Sequence, residues 1–99
     1  MARFDVYANP NDAGFLLDVQ TDLLEQLNTR IVVPLMPKAK APRPAKRLNP
    51  IFDIGGTPYV MVTQFMAAVP ISMLKTAHST LAHQTDEITN AVDMVFFGF

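Results

Sequence analysis

Few side chains in this 99-residue sequence have the chemistry of a catalyst. It contains two histidines, His78 and His83, two serines, Ser72 and Ser79, and no cysteine. The lack of cysteine excludes a thiolate nucleophile, a disulfide framework and a cysteine-ligated metal site. Two histidines alone do not supply the ligands of a conventional structural zinc site, and no glycine-rich phosphate loop or nucleophile elbow is present. We therefore predict a binding module with no catalytic residue, metal ion or cofactor.

One enzymatic alternative stays open, a metal-free ribonuclease. Such a reaction needs only an acid, a base and a group that holds the phosphate, and Arg30, an acidic residue and His83 could supply them. The spacing does not specify this site, because the two histidines lie five residues apart, which is poor helical spacing for a shared role. Asp18 and Asp22 have helical spacing, but Asp18 lies in a predicted strand, so we expect the two carboxylates not to pair.

Positive charge is concentrated in one segment of the chain. Five of the eight basic residues lie between positions 38 and 47 with no acid among them, namely Lys38, Lys40, Arg43, Lys46 and Arg47. The other positions carry three basic and nine acidic side chains, a net of −6. Clustered lysine and arginine can bind phosphate, but residues 37–48 contain three prolines and no aromatic residue for base stacking. We interpret residues 37–48 as a solvated, proline-stiffened basic loop.

Nothing in the sequence predicts membrane insertion or export. No apolar run approaches the roughly 20 residues that span a bilayer. Asp5 lies where the apolar stretch of a signal peptide would begin. We therefore expect a soluble cytoplasmic protein.

The hydrophobic pattern of the first 75 residues predicts short β-strands. Three consecutive β-branched residues mark the clearest strand, Pro34 is expected at an edge, a bulge or a strand end, and Gly55-Gly56-Thr57 is typical of a hairpin turn. Residues 65–69 either extend this hairpin or bend away, and Asp22 could cap a short helical turn. The predicted strands are residues 4–7, 15–19, 30–35, 50–54 and 58–64, with a further short strand at 70–74.

The proline-free segment after Ser79 predicts one amphipathic helix, residues 85–97. Thr85 is a suitable N-cap, and Asp86 and Glu87 complement the positive end of the helix dipole. The apolar stripe expected to face the core comprises Ile88, Ala91, Val92, Val95 and Phe96. Residues 1–99 thus form one α+β domain, a small, mostly antiparallel sheet or partly open barrel with the helix packed on it.

The predicted helix carries a second stripe that a surface helix does not require. Asn90, Asp93, Met94 and Phe97 recur at helical spacing, and three of the last four residues are phenylalanine. We assign Phe96 to the core, whereas Phe97 and Phe99 are hard to bury in so small a domain. They are buried in the domain, buried in a homodimer interface, or exposed as an anchor for another protein. In the last case each ring buried against the partner contributes about 1.5–3 kcal/mol of binding free energy. Aromatic anchors of this kind dominate many interfaces.

The sequence resembles the CcdB family, the toxins of type II toxin–antitoxin modules. The resemblance covers nearly the whole chain and is most specific in residues 4–7, 17–24, 30–35, 66–70 and 88–99. It implies an SH3-like, partly open barrel of five to seven mostly antiparallel strands with one C-terminal helix, assembled as a homodimer. It implies a non-catalytic poison that binds the A subunit of DNA gyrase and traps the cleaved gyrase–DNA complex. A CcdA-like antitoxin would neutralise the toxin, and DNA would be bound only indirectly through the antitoxin complex.

Carried over by position, the resemblance places the gyrase contact on Leu23, Leu24, Asp93, Met94, Phe97, Gly98 and Phe99. In the best-known member, tryptophan occupies the position of Phe97, isoleucine that of Phe99 and asparagine that of Asp93. The last difference puts a charge inside the contact, where an unpaired buried carboxylate is costly. The antitoxin contact falls on Lys38, Lys40, Arg43, Lys46 and Arg47, in a loop shorter than the family's. Two alternatives remain, a ribonuclease on the same fold and a non-toxic antitoxin-binding paralogue.

Overall fold

A computed structural model of the protein describes residues 2–99. Within that range the chain forms seven β-strands, four single-turn 3₁₀ helices and one α-helix. The strands are β1 (Asp5–Ala8), β2 (Phe15–Asp18), β3 (Thr29–Pro37), β4 (Ile51–Ile54), β5 (Thr57–Met61), β6 (Ala67–Pro70) and β7 (Ala77–Thr80), and α1 spans Thr85–Phe97. The 3₁₀ turns are Asp22–Leu24, Thr63–Phe65, Ile71–Met73 and Ala82–Gln84. No helix in residues 2–99 has both the length and the apolar character that crossing a membrane would require.

The strands form one antiparallel sheet that curves into a half-barrel in the order β4-β5-β3-β2-β1-β7, with β6 paired to β3 off this path. β3 is long enough for its free edge to pair with β6 at one end and with β5 at the other. Pro34 lies between those two partners, and its carbonyl oxygen accepts a hydrogen bond from the Val62 N–H at 3.0 Å. Pro34 has no N–H to donate, and no strand pairs with this edge of β3 at that position, so no ladder hydrogen bond is lost. The predicted fold class, a mainly β partly open barrel with one C-terminal helix, is confirmed.

Three local predictions are wrong. Residues 71–73 form a 3₁₀ turn instead of a strand, and the polar strand β7, which pairs with β1, was missed because its residues do not alternate in hydrophobicity. Thr21, not Asp22, caps the 22–24 turn, since its hydroxyl accepts the Leu23 N–H at 3.3 Å. Thr85 is already helical, and its hydroxyl donates to the Ala82 carbonyl at 2.6 Å instead of capping α1.

The central strands bury side chains on both faces because successive residues point to opposite sides of a sheet. The larger cluster lies under α1 and includes Val6, Leu17, Val33 and Ile88. The smaller cluster lies on the other face and comprises Tyr7, Leu16, Val32 and Leu74, with Val69 and Met73 packed against it. Burial on both faces explains why β2 and β3 read as nearly continuous apolar runs.

Only the first part of α1 is buried in the core, and its last residues are exposed to solvent. Ile88 and Ala91 are fully buried and Val92 is half-buried, but Val95 and Phe96 are exposed. The assignment of Val95 and Phe96 to the core stripe was therefore wrong. A 13-residue helix is about 20 Å long, and α1, which packs on the 63–65 and 82–84 turns, has its buried residues in its first half only.

Gly14 is the position where the hairpin between β1 and β2 tolerates no side chain. Its φ is +112°, and a Cβ atom there would overlap the carbonyl oxygen of Leu35 on β3. We expect Gly14→Ala to lower the free energy of unfolding by about 2–3 kcal/mol in urea denaturation. Gly55→Ala is the matched control, because its φ is +61° and nothing lies within 4 Å, so it should cost only about 1 kcal/mol. Equal losses for the two variants would contradict this account.

Candidate functional site

The C-terminal end of α1 presents three large rings to solvent, which we call the aromatic tail (Phe96, Phe97 and Phe99). Their exposed fractions are 63%, 67% and 75%. The ring centroids of Phe96 and Phe97 lie 6.3 Å apart, as do those of Phe97 and Phe99. Phe97 and Phe99 are therefore not buried in the domain itself, and Phe96 is exposed with them.

A left-handed glycine fixes the last ring of the tail. Gly98 has a φ of +78° and donates its N–H to the Met94 carbonyl at 3.1 Å, which ends the helix and redirects the chain. Asp93 is exposed and Met94 is half-buried one turn before Phe97 and Gly98. The structure therefore brings Asp93, Met94, Phe97, Gly98 and Phe99 together at one end of α1. Apolar clusters exposed in this way usually mark an interaction site.

Asp93 is the one charged group of the predicted gyrase contact. Across the described part of the chain it forms no ion pair. A partner that covers the helix end must therefore supply a hydrogen-bond donor for this carboxylate, because an unpaired buried carboxylate costs several kcal/mol.

Leu23 and Leu24 lie on a separate element, the 22–24 turn. Leu23 is 91% exposed and Leu24 is about half exposed. The turn is held by Asp22, whose carboxylate accepts the Arg3 backbone N–H at 3.0 Å and the Arg30 guanidinium at 3.3 Å. The sheet thus fixes the orientation of this turn through a charged side chain.

Arg30, which contacts Asp22 of this turn, also forms a buried ion pair with Asp18 that the sequence analysis did not predict. Arg30 and Asp18 are 1% and 0% exposed, and the Asp18 carboxylate accepts the Arg30 Nε–H at 2.8 Å. The Gln20 backbone N–H donates to the same carboxylate at 3.1 Å, and the Gln20 carbonyl accepts from Arg30 at 3.1 Å. Burial raises the pKa of the Asp18 carboxyl, although the Arg30 guanidinium acts to lower it.

Asp18 and Asp22 were expected not to pair on a helix because Asp18 lies in a strand, and the structure indeed places Asp18 in β2 and Asp22 on the 22–24 turn. They do not share a helix, but both carboxylates meet at the guanidinium of Arg30 because the chain folds back after β2. The sequence signal that could have indicated the ion pair is a charged residue at the end of each apolar strand, Asp18 in β2 and Arg30 in β3. Because side chains alternate along a strand, Asp18 and Arg30 both point to the face of the smaller cluster.

Arg30 does not lie in an open groove, as a phosphate-binding residue of a ribonuclease would. It is 1% exposed and its cation is engaged by two aspartates, so a substrate phosphate cannot reach it. His78 and His83 lie exposed on β7 and on the 82–84 turn. In residues 2–99 no group of three or more histidine, aspartate or glutamate side chains is placed to hold a metal ion.

The basic loop connects β3 to β4 over the surface, and its cationic side chains are exposed. Its start is fixed by the Lys38 N–H, which donates to the Pro58 carbonyl at 3.3 Å. Its end is fixed by Asn49, whose amide donates to the Met61 carbonyl at 3.0 Å and accepts the Ala45 N–H at 2.9 Å. All five predicted antitoxin contacts are exposed, and none forms an ion pair with another described residue: Lys38, Lys40, Arg43, Lys46 and Arg47.

Solved structures that share this fold include two endoribonucleases. One is an endoribonuclease in complex with its cognate antitoxin from Mycobacterial species, with a TM-score of 0.76, 15% identity, and coverage of 97% of this chain and 94% of that chain. The other is an endoribonuclease from Mycobacterial species with the same TM-score and identity, covering 97% of this chain and 90% of that chain. At this identity they establish the fold alone. A family model described as CcdB protein matches residues 3–98, nearly the full length, and the chain therefore belongs to the CcdB family of toxins.

Proposed function

We propose that this protein binds the A subunit of DNA gyrase and traps the enzyme with its DNA cleaved. The observation that supports this most is the aromatic tail, whose rings are 63–75% exposed on a chain of the CcdB family. No chemistry by the toxin itself is needed. A ligand that binds one gyrase conformation better than the others shifts the population toward it, and the differential affinity sets the trapped fraction.

A homodimer would present two such tails to a symmetric target. Apolar residues outside the tail are also exposed, among them Leu27, Phe65 and Ile71. Phe65 lies on the turn against which α1 packs, and the Ile71 N–H donates to the Asn28 carbonyl beside Leu27. A second copy of the chain would cover such surface, and a two-fold axis would give a symmetric wedge.

The direct test of the proposal is gyrase-dependent DNA cleavage. With gyrase of its own host, the purified protein should convert supercoiled plasmid into linear DNA after detergent and protease treatment. No linear product with that gyrase would remove the proposal. Expression in a gyrase-sensitive host without loss of viability would instead favour a non-toxic antitoxin-binding paralogue.

The basic loop is the proposed contact for the antitoxin. Five free cations on a stiffened loop suit an acidic or mixed peptide that is disordered alone and orders on binding. The variant Lys38→Gln/Lys40→Gln/Arg43→Gln should weaken binding of the cognate antitoxin by about tenfold at low salt, and less at high salt, because surface charges are screened. Isothermal titration calorimetry measures this loss.

Lys75→Gln is the control for the loop variant, because it removes an exposed charge outside the loop. It should leave antitoxin affinity within about twofold of the unmodified protein. The loop variant should still poison gyrase. Unchanged antitoxin affinity in the loop variant would move the antitoxin contact elsewhere.

Ribonuclease activity is the second candidate, since the two similar solved structures named above are endoribonucleases. The burial of Arg30 against Asp18 counts against the site considered above. We therefore expect no cleavage when the protein is incubated with RNA in the absence of metal. Cleavage products in that experiment would favour the ribonuclease instead.

A further inference from the structure

The 22–24 turn carries two of the predicted gyrase contacts, Leu23 and Leu24, and no buried side chain anchors it. None of its three residues is buried, and Leu23 is 91% exposed. The N–H groups of Leu23 and Leu24 donate to the Thr21 hydroxyl at 3.3 Å and to the Thr21 carbonyl at 3.1 Å. These bonds set the shape of the turn, and its position on the sheet depends on other contacts.

A single oxygen atom of Asp22 ties the turn to two other parts of the chain. The Asp22 Oδ1 atom accepts the Arg3 backbone N–H at 3.0 Å and an N–H of the Arg30 guanidinium at 3.3 Å. Arg3 precedes β1 and Arg30 lies in β3, so this oxygen joins the turn to both segments. The Asp22 side chain is 52% exposed, so it makes these contacts without being part of the core.

Both donors are held in place by contacts that do not involve Asp22. Arg30 is 1% exposed, and its guanidinium is paired with the buried Asp18 carboxylate at 2.8 Å. The Arg3 side chain donates its Nε–H to the Val19 carbonyl at 3.3 Å. Residues near a terminus are ordered when such contacts tie them down. The Asp22 carboxylate therefore accepts from two fixed donors.

The backbone next to Arg3 is strained, which is further evidence that this segment is fixed. Phe4 is buried and has a φ of +73°, a left-handed value that a bulky residue rarely adopts. Its N–H donates to the Asp18 carbonyl at 2.6 Å, and its carbonyl accepts the Leu81 N–H at 2.9 Å. The Arg3 guanidinium lies 4.6 Å from the centre of the Phe4 ring. Strain of this kind persists where surrounding contacts impose it, and it is commonest at functional sites.

A second side chain, Gln20, holds only the far end of the turn. Its amide donates to the Leu24 and Thr29 carbonyls, both at 3.3 Å, and its oxygen accepts the Ile31 N–H at 3.1 Å. Across residues 2–99, Leu23 hydrogen-bonds only to the adjacent turn residue at position 21. The position of Leu23 therefore depends on its neighbour, Asp22.

We propose that Asp22 is a positioning residue of the gyrase contact. It fixes the backbone that carries Leu23, so that this side chain meets gyrase already oriented and loses less conformational freedom on binding. The inference rests on the proposed function and adds to it the residue that orders one part of the contact. Asp22 acts through Leu23 and not through a bond of its own to gyrase.

Nuclear magnetic resonance relaxation of the free protein tests the positioning without gyrase. In the unmodified protein the backbone order parameter of Leu23 should be about 0.85, the value of a rigid backbone, and in Asp22→Ala it should fall below about 0.6. The order parameter of Leu24 should change less, because Gln20 still holds its carbonyl.

Two substitutions at Asp22 separate the loss of the hydrogen bonds from the loss of the charge. Asp22→Asn keeps an oxygen at the Oδ1 position, so it can still accept from Arg3 and Arg30, whereas Asp22→Ala cannot. For the same yield of linear plasmid with gyrase, we expect Asp22→Ala to require about tenfold more protein and Asp22→Asn no more than about threefold more. Both variants should melt within about 8 °C of the unmodified protein, because Arg30 keeps its pair with Asp18.

Glu25→Ala is the matched control. Glu25 is also an exposed carboxylate beside the turn, and it forms no ion pair with another residue of the described range 2–99. Its truncation should leave the order parameter of Leu23 unchanged and gyrase poisoning within about twofold of that of the unmodified protein.

A double-mutant cycle tests whether Asp22 acts through Leu23. Substitutions of residues that act together do not add, so in the Leu23→Ala background the further change Asp22→Ala should cost no more than about twofold. A direct bond between Asp22 and gyrase would instead add its full loss to that of Leu23→Ala.

The proposal is overturned if Leu23 is as rigid in Asp22→Ala as in the unmodified protein, or if Asp22→Asn or Glu25→Ala is as impaired as Asp22→Ala. It is also overturned if the losses of Asp22→Ala and Leu23→Ala add, or if a larger fall in melting temperature shows that Asp22 maintains the fold itself. In all these cases the unmodified protein still poisons gyrase. If it does not, the proposed function fails and this inference fails with it, so the two failures are distinguishable.

Discussion

Deletion of Gly98 and Phe99 should weaken gyrase poisoning at least about 100-fold and leave the fold intact. Phe99 is 75% exposed, so its removal takes almost nothing from the core. The helix loses its glycine cap, and the free energy of unfolding should change by no more than about 1 kcal/mol. The same deletion removes a ring that would be buried against gyrase and the cap that positions Phe97.

The expected loss of activity follows from how aromatic anchors contribute to binding. Truncation of a central aromatic residue in an interface commonly costs 2–4 kcal/mol, which corresponds to a roughly 30- to 1,000-fold loss of affinity. We therefore expect at least about 100-fold more truncated protein to be needed for the same yield of linear plasmid. Phe97→Ala, which keeps the chain length, should show a loss of similar size.

Ile51→Ala is the matched control for the tail variants. Ile51 is an exposed apolar residue on β4, outside the predicted gyrase contact, and its truncation should leave poisoning unchanged. Full activity of the truncated protein would place the gyrase contact elsewhere. A loss of several kcal/mol in unfolding, dependent on protein concentration, would instead place the rings in a homodimer seam.

Local sequence signals were sufficient for most of the sheet. The hairpin of β4 and β5 follows from Gly55 and Gly56, whose φ angles are positive. β3 follows from its β-branched run, although the strand continues through Pro34 to Pro37. β7 could not be found in this way, because its exposed polar residues carry no periodic signal and only its pairing with β1 makes it a strand.

The candidate sites show where sequence reasoning ends. Helical periodicity assigned Phe96 to the core, but periodicity does not reveal where the sheet under a helix stops. The rings of Phe15, Tyr59 and His78 come from three different strands, and their proximity depends on the register of the whole sheet. The buried ion pair depends in the same way on the chain reversal after Asp18.

Arg30→Met should lower the free energy of unfolding by about 3–5 kcal/mol, the usual cost of breaking a buried ion pair by removing one partner. Asp18 is 0% exposed, so the variant would leave its carboxylate buried without a cation. Lys75→Met is the control, because Lys75 is exposed and its substitution should change stability by no more than about 0.5 kcal/mol. A loss for Arg30→Met as small as the control's would mean that Arg30 is free for another role, such as holding phosphate.

The pH dependence of the free energy of unfolding identifies why Arg30→Met is destabilised. Without Arg30, burial raises the pKa of Asp18 above its unfolded value with nothing to lower it except the Gln20 N–H. A group whose folded pKa is raised contributes stability below its unfolded pKa and loses it as pH rises through the folded pKa. The deficit of Arg30→Met should therefore be smallest near pH 4 and grow toward pH 7. Asp18→Asn/Arg30→Met removes both charges and keeps an acceptor for Gln20, so it should recover much of the loss and show no such pH dependence, as chemical denaturation at several pH values would reveal.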